Sequence, residues 1–274
     1  MKHEFISFIK EELSSLTENK SIDTVLVNYF DEDEKRKINY SDILSNCSLL
    51  SPLIDKFEKI DSAFEQEVCL KFSINEIYKN QSELEKWIVQ DWGGISTHKS
   101  FDTLYLSKDA QKFDRISSWS KISSFEDIKN NVVYDSKVIY SLNWLIYKYN
   151  KLNNEQEKYL VQPSGRNKAI VLLPVNSIIT FENSKKLDIT KRGDKIYGDI
   201  FINKNECYQY LVEFIKMLNA SLFKNMQINI PFHAEVINMD EYPFFTEMLL
   251  FKMADKEIFN DIQNSISVNM DMAK

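Results

Sequence analysis

The stretch SSWSKISSFEDIKNNVVYDSKVIYSLNWLIYKY, residues 117–149, decides how this chain is read. Its second half is a helix by spacing: Val138, Ile139, Leu142, Leu145, Ile146 and Tyr149 recur at intervals of one helical face. Asp135 stands where that helix begins, directly after the apolar triplet Val132, Val133 and Tyr134. A helix N-terminus presents unpaired N–H groups and partial positive charge, so an aspartate there is stabilised as the anion. Asp135 is thus a natural N-cap, and the same physics would hold it ionised for chemistry. Lys121 lies 14 residues upstream, after a serine-rich segment that reads as a turn leading into a short helix.

Working outward, apolar spacing predicts helices over 3–19, 23–30 and 41–60, the last interrupted by Pro52. A further helix is expected over 62–78, and another begins at SELEKWIVQDW with Ser82 as its cap. Gly93 and Gly94 then break the chain abruptly, because glycine takes backbone angles closed to other residues. Residues 101–125 read as short helices and turns, 151–158 as a polar connection, and 205–223 and the tail from Glu241 as helices. AIVLLPVNSIITF and KIYGDIFI, between 159 and 204, have β character. The expected fold is mainly α with a minor β element. Its regions are an N-terminal helical part (1–80), a central part with the aspartate helix (81–158) and a mixed, then helical, C-terminal part (159–274), which can form one unit.

Composition removes several classes of function. The 274 residues suffice for a sizeable core, and no apolar run is long enough to span a membrane, so a cytoplasmic protein without membrane contact is expected. Cys47, Cys69 and Cys207 are scattered and odd in number, which fits core residues rather than disulfides. With only His3, His98 and His233 besides, no metal site is expected, and the absence of glycine-rich phosphate loops implies no nucleotide cofactor. The formal net charge is −7, yet residues 108–195 hold 16 Lys and Arg against 10 Asp and Glu. A basic middle between acidic ends is either an electrostatic footprint for nucleic acid or a clustering of solvated charge.

A segment ending in a lysine, a short excursion, then an aspartate opening a helix resembles the helix-hairpin-helix DNA glycosylase superfamily. VVYDSKVIYSLN is similar to its aspartate motif, and Lys121 in SSWSKISSF to the lysine of its 8-oxoguanine-glycosylase-like branch. The likeness covers about 35 residues and departs at the hairpin, where SSWS stands in place of the family's glycine pair. It implies a helix-hairpin-helix glycosylase-like fold that flips a damaged or modified base out of double-stranded DNA and excises it, with or without strand-cleaving lyase activity. It also implies that Asp135 stabilises the sugar cation and that Lys121 forms a Schiff base, or only contacts phosphate if it stays at the surface. A role against modified phage DNA is one reading of the divergence.

Other residues have two readings each. Trp119 and Trp92 stack on a flipped base or belong to the core. Ser117, Ser118 and Ser120 offer N–H and hydroxyl donors to a phosphate in place of the missing glycines. Arg115, Lys112, Arg166 and Lys168 track a DNA backbone or are surface charge, and His98 is an acid–base group or a plain loop histidine. The alternative function is a non-catalytic helical module that binds nucleic acid or a protein on a glycosylase-like scaffold, with Asp135 serving only as a cap. A helical interaction protein unrelated to DNA is the third reading.

Overall fold

The computed structural model describes residues 3–32, 40–78, 81–95, 113–163, 168–188, 190–191, 198, 200–233 and 236–266. The chain is mainly helical with one small antiparallel sheet. Helix α1 (His3–Leu16) buries Phe5, Ile6, Ile9 and Leu13, and α2 (Ile22–Asp31) buries Ile22, Val25 and Leu26, as their spacing requires. The helix expected over 41–60 is broken into α3 (Tyr40–Leu44), a 3-10 turn at Ser51–Leu53 that contains Pro52, and α4 (Ile54–Phe57). Next come α5 (Ala63–Ile77) and α6 (Ser82–Trp87), the latter continuing as a π-helical turn at Ile88–Trp92. Gln81, not Ser82, occupies the α6 cap position, and Ser82 is the first helical residue.

A 3-10 turn at Phe113–Arg115 leads into α7 (Ile116–Glu126), and α8 (Ser136–Asn153) comes after it. Then come α9 (Lys168–Leu172), α10 (Val175–Glu182) and α11 (Cys207–Leu222). Strands β1 (Gln227–Asn229) and β2 (Val236–Asn238) pair with Ile228 opposite Ile237. The described chain ends with α12 (Phe244–Met253), a second π-helical turn at Ala254–Ile258, and α13 (Phe259–Ser265).

α8 is the centre of the packing. It lies against α12, α1, α10 and the second π turn, and buries residues all round, among them Ile139, Leu142, Trp144 and Leu145. Phe5 of α1 meets Tyr149 at 4.7 Å and Phe214 of α11 at 5.3 Å between ring centroids, joining the N-terminal helix to α8 and α11. The three cysteines are buried, free thiols. Among the described residues no helix is long and apolar enough to cross a membrane.

Two local expectations are overturned. AIVLLPVNSIITF is α9 and α10 rather than strand, because Val175 and Ile179, four apart, bury together on one helical face against α8. KIYGDIFI lies mostly outside the described residues, its described β character being one bridge between Tyr159 and Phe201. The serine-rich turn is also helix. Ser117, Ser118, Ser120 and Lys121 all lie within α7, which contains no glycine or proline to stop it.

Helix α5 carries two charged residues, Glu67 and Lys71, into the interior, and its first turn is capped from two sides. Asp31 Oδ1 accepts hydrogen bonds from Phe64 N and from Ser62 Oγ, both at 3.0 Å. Ser62 Oγ in turn accepts from Glu65 N at 3.1 Å. Ser62→Ala should therefore lower unfolding stability by about 1 kcal/mol in urea titrations, the usual value of a lost cap. An unchanged midpoint would mean that Asp31 alone satisfies this turn.

Candidate active site

The segment from α7 to α8 is fixed by its backbone hydrogen bonds. Asp127 Oδ1 accepts from Lys129 N and Asn130 N, which turns the chain after α7. Val132, Val133 and Tyr134 then run extended and buried beside that helix. Ser120 Oγ accepts from Tyr134 N at 2.9 Å, and Ser117 Oγ donates to Tyr134 O at 3.1 Å. The serines thus staple α7 to the approach of Asp135. Ser118 and Ser120 are buried and Ser117 half-buried, so the exposed phosphate-binding turn expected from SSWS is not formed.

Asp135 divides its carboxylate between two tasks. Oδ1 accepts from Lys137 N at 2.7 Å, which is the N-cap of α8. Oδ2 lies 3.8 Å from Lys121 Nζ, an ion pair too long for a hydrogen bond. The cap reading of Asp135 is thus observed, and Lys121, expected near it in space, is its ion-pair partner. Lys121 has only 8% of its side chain exposed and Asp135 20%.

Both side chains line a cavity of about 490 Å³ bounded by α5, α7, α12 and the first π turn. Gly93, the first of the glycine pair, makes room for Lys121. A Cβ on Gly93 would sit 2.7 Å from Lys121 Cδ, 2.7 Å from Val89 O and 2.9 Å from Ile88 O, so only glycine fits beside the lysine stem. Gly94 serves differently, with a φ of +63° that turns the chain away. The π turn brings Trp92 into the cavity wall. Its Nε1 donates to Glu67 Oε1 at 3.1 Å, and its ring lies 5.5 Å from Lys121 Nζ and 4.8 Å from Lys71 Nζ.

The sequence reading missed the innermost charges. Lys71, Glu67 and Glu247 are buried in the same cavity, with Tyr40 beside them. Burial pushes the Lys71 ammonium below the ordinary lysine range; Lys121 adds to this, while Glu247 and Glu67 oppose it. Burial likewise pushes Glu247 up. Lys71, the Val133 N–H and Lys121 draw it down, and Asp135 pushes it up. Tyr40 donates to Glu67 Oε2 at 2.5 Å, and burial, then Glu67, hold its phenol well above the usual range, so it stays a donor. Signals for these residues existed. Glu67 and Lys71 share the helical stripe of Phe64 and Val68, and Glu247 is a lone carboxylate in the apolar run FFTEMLLF.

The other expected residues lie elsewhere. Trp119 packs edge-on against Tyr208 of α11 at 4.5 Å, two residues from Lys121 and so on another face of α7. Arg115 is half-buried at the entrance to α7, not in the cavity. Lys112, Arg166 and His98 lie outside the described residues, as does the side chain of Lys168 at the start of α9. Among the described residues, much of the basic middle is buried or paired. Lys121 and Lys137 are buried, and Lys129, Lys148, Lys151 and Lys191 pair with Glu241, Asp261, Glu182 and Asp188.

A larger groove of about 1130 Å³ runs beside Gln162, Asn203 and Tyr210, but it holds no comparable group of buried charges. Among the described residues no three metal-ligating side chains come together. The chain matches no protein-family model, and no curated protein or solved structure is significantly similar to it.

Glu247 supplies a pH signature. A carboxyl group with a raised folded-state pKa favours the folded form below its unfolded value and loses that contribution as pH rises through the folded value. Relative to Glu247→Gln, wild-type stability should therefore fall from pH 4.5, the ordinary glutamate value, upward until Glu247 is ionised. The amide oxygen of glutamine can still accept the Val133 N–H that Glu247 Oε2 holds at 2.8 Å. Urea midpoints of the two proteins across pH check this, and parallel profiles would contradict it.

Proposed function

We propose that the protein is a DNA glycosylase that takes a damaged or modified base into the cavity and cleaves its bond to the sugar. The observation that carries this reading is the Lys121 ammonium set 3.8 Å from the Asp135 carboxylate on the wall of a pocket of about 490 Å³, within the range of small-ligand sites. A carboxylate at a helix N-terminus, paired and partly shielded, is held where positive charge can develop.

A base inside a duplex cannot reach such a pocket, so it must be flipped out. As the glycosidic bond breaks, electrons leave with the base and cationic character grows on C1′ and the ring oxygen. The Asp135 carboxylate, fixed by the Lys137 N–H, stabilises that charge. The aromatic wall at Trp92 offers a surface for stacking. The resemblance names Lys121 as the amine for a following lyase step. Modified bases of phage DNA belong among the substrates to be tried, given how far the segment departs from the family pattern.

The second reading, a non-catalytic binding module, is favoured by one observation: the Ser117 and Ser120 hydroxyls of SSWS are spent on holding the Tyr134 backbone. Asp135→Asn separates the two, because asparagine caps nearly as well as aspartate. The variant should unfold at a nearly unchanged urea concentration but release base at least about 100-fold more slowly from duplexes carrying single modified bases. No release by the wild-type protein from any such duplex would leave the binding module standing.

A further inference from the structure

We propose that Lys71, rather than Lys121, is the amine in the cavity that condenses with a carbonyl carbon, the C1′ aldehyde of an abasic sugar. The substrate class rests on the glycosylase reading; the choice of lysine rests on geometry. Only an unprotonated amine attacks carbon, and lysines become nucleophiles when desolvated or placed beside another cation. Lys71 meets both conditions. Its side chain is almost fully enclosed, with Nζ 4.2 Å from the Phe125 ring centroid and 4.8 Å from that of Trp92. Lys121 shares the Trp92 ring at 5.5 Å.

Lys121 is held in the opposite way. Its ammonium has the Asp135 carboxylate at 3.8 Å, and its stem is wedged against Gly93. Its position is thus committed to the pair with Asp135. The groups facing Lys71 are Glu67 on its own helix, Lys121 and Ser124 on α7, Trp92 on the π turn and Glu247 on α12. Its Nζ donates one hydrogen bond, to Ser124 Oγ at 3.2 Å. Burial leads the set of influences that hold its ammonium below the ordinary value of 10.5, so its amine fraction grows from a lower pH than that of a solvated lysine.

The step balances without an oxidant. The Lys71 nitrogen bonds to C1′, the aldehyde oxygen becomes a hydroxyl, and that hydroxyl leaves as water with a proton from nitrogen. A carbon–nitrogen double bond remains, and added borohydride reduces it to a stable secondary amine.

The test uses the full-length wild-type protein, a duplex with one natural abasic site and borohydride, followed by digestion and mass mapping of the adduct. Release of modified bases is measured on the same preparation. The expected result is the sugar mass on Lys71, with loss of the adduct in Lys71→Met. An adduct on Lys121, or no adduct, would overturn the assignment whether or not that variant folds. Base release without an adduct overturns the Lys71 step alone and leaves the glycosylase reading intact. Neither release nor adduct removes both.

Discussion

Charges enclosed in one cavity are the constraint on which the other features depend. Lys71 and Lys121 face Glu67, Asp135 and Glu247 at the junction of α5, α7, α8 and α12. Taking an ion out of water costs several kcal/mol even after relaxation, and mutual attraction offsets this only when the groups are held in place. Each is held. Glu247 accepts from the Val133 backbone, Glu67 from Tyr40 and Trp92, Asp135 from the Lys137 backbone, and Lys71 donates to Ser124. Such an arrangement is a poor way to gain stability and a common way to build a site.

The irregular parts of the chain serve the same cavity. Two π-helical turns flank it, at Ile88–Trp92 and Ala254–Ile258, and such turns are frequent at functional sites. The first places Trp92 in the wall and brings Gly93 against Lys121. The second comes just after Phe251 and Lys252, which line the cavity, and supplies Asp255 to Lys137 at the start of α8. The approach to Asp135 is similarly over-determined, by two serines of α7 from one side and by Glu247 of α12 from the other.

Much of this was legible in the sequence, and the failures have physical causes. The α8 helix and its aspartate cap could be read because apolar spacing and capping chemistry are local. The helices around 168–182 were hidden because β-branched residues favour strands in isolation, and burial of Val175 and Ile179 at helical spacing overrides that preference. Serines 117, 118 and 120 suggested a turn because serine competes for backbone groups, yet two of their hydroxyls bond a segment more than a dozen residues away. Three of the five charged residues of the cluster were missed for the same reason. Glu67, Lys71 and Glu247 are brought to Lys121 and Asp135 only by the packing of distant helices.

The central claim is that the cavity receives a nucleotide turned out of a duplex. Fluorescence of 2-aminopurine placed beside a modified base tests it most directly, with the folded Asp135→Asn protein added so that the base is held rather than released. The predicted result is a saturable rise in emission as the neighbour loses its stacking partner, weakening as salt is raised. Binding of the protein to these duplexes with no rise in emission would contradict it.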